Sequence, residues 1–271
     1  MTASPAFLKI EDARARANKF ATDRNWAQFH TADNLLLALS GEIGEVCEIF
    51  QWRGSLDTWR YHEGQTTFTE SEIIHIGEEI SDVMIYTTRL SDVTYIDLAR
   101  AVHAKVTGNK LDSPRPTPDQ GWGNYTWKEI EEYAASVTQQ KSSSPRYYAK
   151  KLISYGGKLS SLFIERPENE NTGALELWNA RDLTDLASIL ASIVVTCCCL
   201  ARTFNIDVGK VLADKMDKNE RKYPIHLARN SSAKYTKYIK NRKYTLESLK
   251  MISMGLLFGV AIGGFMFRRR I

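Results

Sequence analysis

The chain has almost nothing with which to crosslink itself. Four of its 271 residues are cysteine, and three of those, Cys197, Cys198 and Cys199, are consecutive, so they cannot staple separate loops together. Buried structural thiols in a reducing compartment are expected instead. No Cys/His spacing of the zinc-binding kind occurs, and no strand-like alternation is convincing, which argues against a β-rich fold. The N-terminus lacks a long apolar run and carries acids, so it resembles neither a secretory signal nor a mitochondrial presequence. What the chain does have is 43% apolar and 25% charged residues, the balance of a folded protein.

Apolar residues at three- and four-residue spacing predict helices over Ile10–Arg24, Asp33–Trp52, Ser71–Ser91 and Asp97–Lys105. A segment rich in Pro and Gly, 112–125, follows as a linker. The pattern then resumes over Thr126–Gln140, Tyr147–Glu165, Ala180–Phe204 and Asp207–Tyr223. This reads as an all-α fold of two tandem four-helix units, 1–111 and 126–235.

The net charge of +4 hides an uneven distribution. Glu42 to Glu79 is acidic, whereas 236–250 is basic and leads into the apolar stretch Met251 to Phe267, "MISMGLLFGVAIGGFMF". Seventeen uncharged residues closed by three arginines are enough for a short transmembrane helix. Gly255, Gly259 and Gly263 form a small-residue face on it. Such a C-terminal anchor leaves the preceding residues in the cytosol, and its basic flanks fit the mitochondrial outer membrane, with peroxisome and endoplasmic reticulum as alternatives. The flanking lysines and arginines suit anionic headgroups, and nucleic-acid binding is disfavoured.

The helix containing "LLLALSGEIGEVCEIFQWRG" carries Glu42, Glu45 and Glu48 among apolar positions. Glu42 and Glu45 share a face, and Glu79 and Asp82 in "EEISDVMIY" repeat the spacing. Burying four carboxylates together would neutralise them unless a cation compensates. Oxygen ligands without His or Cys suit Mg2+, or Mn2+, and an ion of that kind commonly keeps substrate phosphates in its shell. Glu48 is a less central member. A di-iron bundle is the rival metal reading, but only one Glu-x-x-His, Glu72 and His75, is present where two are needed.

"NWAQFHTADNLLLALSGEIGEVCEIFQW" and "EEISDVMIY" resemble the all-α nucleoside triphosphate pyrophosphatases of the MazG type, closest to the dCTP pyrophosphatase group. The likeness covers most of residues 10 to 110 and resumes in "KMDKNERKYPIHLARNSSAKYT". It implies that Glu42, Glu45, Glu79 and Asp82 bind Mg2+, with Glu45 and Glu79 catalytic, and that a nucleoside triphosphate is cut to monophosphate and pyrophosphate. It further implies substrate contacts from Trp26, His30, Asn34, Trp52 and Tyr86, and from Asn219, Arg221, Lys222 and Tyr223 of the basic motif, which also contains Lys215. Family members are dimers or larger, which implies homo-oligomeric contacts. Ala17 stands where animal members carry a pocket histidine, leaving the preferred base open.

The second unit lacks most of the acids. Aligned on its glycines, "SYGGKLSSLFIER" sets Lys158 against Glu42 and Ser161 against Glu45. Asp182 and Asp185 keep part of the second pair, and Ser142 replaces Trp26. A degenerate unit forming a pseudo-dimer with an active one is therefore expected. A tail-anchored scaffold that has lost catalysis is the alternative.

Overall fold

A computed structural model describes residues 9–52, 68–118, 121–140, 144–167, 175 and 178–231. Among them the fold is all-helical: α1 (Ile10–Asp23), α2 (Ala32–Gln51), α3 (Glu70–Val93), α4 (Leu98–Thr107), α5 (Trp127–Gln140), α6 (Pro145–Glu165), α7 (Ala180–Thr203), α8 (Val208–Lys222) and the short α9 (Ile225–Ala228). The eight long helices begin and end within about two residues of the expected bounds, and only α9 was not anticipated. The expected basic segment 236–250, the apolar segment 251–267 and Ser142 lie outside the described residues.

Local chemistry explains these bounds. Thr69 caps α3 reciprocally with Glu72, and Asn179 does the same for α7 with Asp182. The α3–α4 and α7–α8 turns share one geometry at matched positions. Tyr95 and Asn205 take left-handed φ values of 56° and 53°, after which Asp97 and Asp207 accept from the amides of Arg100 and Lys210 at 3.0 and 2.8 Å. The Pro/Gly segment is packed rather than loose. Asp97 accepts from the Gly123 amide at 2.8 Å, its own amide donates to the Pro114 carbonyl at 2.8 Å, and Arg14 stacks on Trp122 at 4.0 Å.

The packing repeats between the two halves. α2 lies on α3 as α6 lies on α7, α1 on α3 as α5 on α7, and α3 on α8 as α7 on α4, while α2 meets α6 and α3 meets α7. Exchanging the halves turns each of these contacts into another of the set, the rule for an isologous interface. One apolar core runs through both halves. Among the described residues, α7 is long and apolar enough to cross a membrane by length and composition, but 78% of its apolar window is buried in this core.

Buried side chains fix the register between halves, and it differs from the glycine alignment. Ala32, Leu35, Leu36, Leu39, Ile43, Val46 and Phe50 of α2 are buried, and so are Pro145, Tyr148, Ala149, Leu152, Gly156, Leu159 and Phe163 of α6. Every pair is separated by the spacing from Ala32 to Pro145. Tyr155 therefore stands opposite Glu42, Lys158 opposite Glu45 and Ser161 opposite Glu48. Likewise the matched turns set Ile189 and Ser192 against Glu79 and Asp82. Asp182, expected to preserve part of the acid pair, is the counterpart of the capping Glu72, and Asp185 is that of His75.

Candidate metal centre and its cavity

Glu42 and Glu45 stand one turn apart on α2, facing Glu79 on α3. One carboxylate oxygen from each falls in a group whose members all lie within 4.8 Å of one another. Glu79 is only 6% exposed, and its Oε2 is buried without a hydrogen-bond partner. Its Oε1 is 3.3 Å from His75 Nδ1. An orphaned carboxylate oxygen beside two more carboxylates is costly unless a cation completes it. The all-oxygen donor set and the orphaned atom both fit a hard divalent ion.

The fourth expected ligand is engaged elsewhere. Asp82 Oδ2 lies 2.5 Å from Lys215 Nζ of α8, so the structure brings together three acids and ties the fourth to a lysine. Burial, then the charges of Asp82, Glu45 and Glu79, push Glu42 up to about 7 despite Lys215. Burial also raises Glu79 and Asp82, with Lys215 opposing both. Burial works against the charge on Lys215, yet Asp82, Glu79 and Glu78 more than offset it and raise its pKa. Burial and the neighbouring Glu42 and Asp82 push the Tyr86 phenol upward.

Glu42, Glu45 and Asp82 line a cavity of about 850 Å³ together with Phe20, Trp26, Phe29, His30, Asn34 and Tyr86. Residues of the second half complete it: Asn219 and Lys222 of α8, and Tyr223 just beyond. Arg16 holds α8 against α1 through Asp217 at 2.5 Å and Glu220 at 3.0 Å. Arg24 donates to the Tyr223 carbonyl at 2.7 Å, and Trp26 Nε1 donates to the Ala228 carbonyl at 2.9 Å. Trp26 is thus both a wall of the cavity and the latch for α9.

Two expected substrate residues are not among the cavity's lining. Arg221 is exposed, and Trp52 is 88% exposed, beside Glu48, Glu72 and His75 at a second recess that shares Glu45 with the cavity. Glu48 belongs with that recess and not with the three clustered acids. Arg16 and Arg89 line the main cavity without having been anticipated. Arg89 and Asp92 are the two charges in "MIYTTRLSDV", and a buried arginine there needs a polar purpose.

The helices and the cavity define a class of site: an all-α bundle with clustered carboxylates beside an aromatic, partly basic chamber. No protein-family model matches the chain. It is 40% identical over 105 residues to "dCTP pyrophosphatase 1" of Rattus norvegicus, and 39% identical over 105 residues to the protein of that name from Homo sapiens. The aligned part is 39% of this chain, and the chain spans 59% of the length of these relatives.

Proposed function

We propose that the protein is a Mg2+-dependent nucleoside triphosphate pyrophosphatase, acting on dCTP or a related nucleotide. The observation that carries this reading is the clustering of Glu42, Glu45 and Glu79, the last with an orphaned carboxylate oxygen, beside a cavity that Glu42 and Glu45 line together with aromatic and basic side chains. Similarity to proteins named dCTP pyrophosphatase 1 supports it.

Glu42, Glu45 and Glu79 would hold the ion, with Asp82 beside them and Mn2+ as an alternative occupant. When bound, the ion supplies charge neutralisation to the triphosphate and to an attacking water. Water adds to the α-phosphorus, the bond from that phosphorus to the bridging oxygen breaks, and pyrophosphate leaves with the bond pair. Glu45 and Glu79 orient the water, and one of these two carboxylates accepts its proton. Lys215 and Lys222 offset phosphate charge from α8, while Phe20, Trp26 and Phe29 give the base an apolar, stackable wall. Because α8 belongs to the second half, that half serves as the partner subunit within one chain. Its own counterparts of the acids, Tyr155, Lys158, Ile189 and Ser192, supply no carboxylate, so it is degenerate. Residues 251–267 tether the assembly to an intracellular membrane, the mitochondrial outer membrane being the first location to test.

Incubating the full chain with each nucleoside triphosphate and Mg2+ tests the reading. Pyrophosphate should appear in amounts equal to the monophosphate, and Glu45→Gln should reduce the rate at least about a hundredfold. Release from no nucleotide would favour the scaffold reading instead.

A further inference from the structure

His30 lines the cavity beside Trp26, and its backbone is fixed by the Trp26 carbonyl, which accepts from the His30 amide at 3.0 Å. Its ring is fixed by Arg89 of α3, whose Nε donates to His30 Nδ1 at 3.1 Å. Arg89 is 8% exposed. Its Nη1 also donates to Asn18 Oδ1 at 3.1 Å and bonds Asp92 Oδ2. Asp92 is held in turn by Arg14 at 2.5 Å, and Arg14 by Glu11 at 2.6 Å. A partly buried relay from α1 through α3 therefore ends on one nitrogen of one cavity-lining histidine.

A guanidinium has donors and no acceptor, so the nitrogen it bonds must be unprotonated. The ring's single proton then sits on Nε2. We propose that Arg89 is a positioning residue that locks His30 as the neutral Nε2–H tautomer, so that the cavity reads the nucleobase through an acceptor atom. The inference rests on the nucleotide reading above for its ligand, but the tautomer itself stands on the Arg89–His30 contact.

Two further observations support it. Burial, then the charge of Arg89, depress His30 to about 4, so the ring stays neutral at neutral pH. The other charged groups lining the cavity are Arg16 of α1, Glu42 and Glu45 of α2, Asp82 of α3, and Glu220 and Lys222 of α8. The relay also occupies the neighbourhood of Ala17, a buried, small residue next to Asn18. A small side chain there leaves room for a guanidinium reaching across from α3.

The test is nitrogen-15 spectroscopy of the histidine-labelled full chain. Wild type should show a pyridine-like Nδ1 and a protonated Nε2 at His30, with no titration between pH 5 and 8. Adding the α,β-imido analogue of dCTP with Mg2+ should shift the Nε2–H proton downfield. Arg89→Met should give a mixture of tautomers and raise the His30 midpoint toward 6.5, the ordinary imidazole value. Arg89→Lys, which keeps a donor and a charge, should restore the wild-type pattern in part and serves if the methionine variant does not fold. In turnover at pH 8, His30→Leu should raise KM about tenfold with little change in kcat, as loss of a contact equal in ground and transition states requires. A protonated Nδ1 in wild type, or an unaltered spectrum in both Arg89 variants, would overturn the tautomer lock. An analogue that leaves the Nε2–H signal unmoved, or a His30→Leu KM unchanged from wild type, would overturn the reading of the base. Absence of turnover with every nucleotide would count against the pyrophosphatase reading alone, because the spectrum is recorded without it.

Discussion

The two halves of this chain keep nearly the same helices and bury nearly the same positions, yet they treat charge in opposite ways. Helices of 14, 20, 24 and 10 residues in the first half are followed by helices of 14, 21, 24 and 15 in the second. All seven buried positions of α2 have buried counterparts on α6. Beside those shared positions, Glu42 and Glu45 become Tyr155 and Lys158, whose side chains lie over each other at 5.6 Å in a cation–π contact. The same helix packs in the same place without the carboxylates. A helix in this position therefore does not require carboxylates, which supports the proposed role of the first half's acids in holding an ion.

Replacing Glu45 by the residue of its counterpart is the strongest way to sharpen this contrast. Glu45→Lys should abolish divalent-ion binding and pyrophosphate release while leaving the helical circular dichroism unchanged, whereas Lys158→Gln should affect neither ion binding nor rate. A reduced rate in Lys158→Gln would break the assignment of the site to the first half.

A lysine pair gives the next effect. Lys215 is 9% exposed and bonds Asp82, whereas its counterpart Lys105 is exposed on α4. Lys215→Met should cost on the order of 3 kcal/mol by leaving a buried carboxylate uncompensated. Lys105→Met should stay within about 0.5 kcal/mol. Denaturant midpoints of the two variants, compared at one pH, check the difference.

The acid cluster also predicts a pH dependence in the ion-free protein. Glu42 titrates near 7 in the folded state against 4.5 ordinarily. A raised carboxyl pKa means that the folded state holds the proton more tightly. Its contribution to stability is full below 4.5 and is lost as pH rises through 7. Thermal melts in EDTA should lose about 2–5 °C from this group between pH 5 and 8, and Mg2+ should reverse the loss. Glu42→Gln should remove the dependence, and a wild-type melt that rises over that interval with Glu42→Gln unchanged would contradict it.

The smallest expected effect concerns how α8 is seated. A Cβ on Gly77 would lie 3.2 Å from Val211 Cγ1, whereas the counterparts of this pair, Ala187 and Ala101, are both small. Gly77→Ala should forfeit the roughly 1 kcal/mol that alanine ordinarily brings to a helix interior, because Val211 must give way, and Val211→Ala should restore that gain in the double variant. Additive melting temperatures would show that the contact does not limit the approach of α8.

Most of the fold was legible because its signals are local. The apolar periodicity, the capping residues Thr69, Asp97 and Asp207, and the Pro/Gly break are all readable within a few residues. The acid cluster was legible too, since helical spacing sets which carboxylates share a face. The alignment between halves failed because it set Gly41, instead of Gly44, against Gly157. Gly41, Gly44 and Gly157 face open space, where a Cβ would meet nothing within 4 Å, so no packing ties them to a register. The positions that hold the register touch across the halves, as Ile43 does in lying 3.2 Å from where a Gly156 Cβ would stand, and those two residues are counterparts. The pairing of Asp82 with Lys215 and of His30 with Arg89 was equally hidden, because each joins elements far apart in sequence and depends on how α3 is packed.

Manganese titration of the full chain tests the central claim most directly. A saturable site is expected in wild type and in Lys158→Gln, and its loss in Glu45→Lys. Saturable binding that survives Glu45→Lys, or no saturable binding in wild type, would contradict the assignment of these carboxylates to a metal centre.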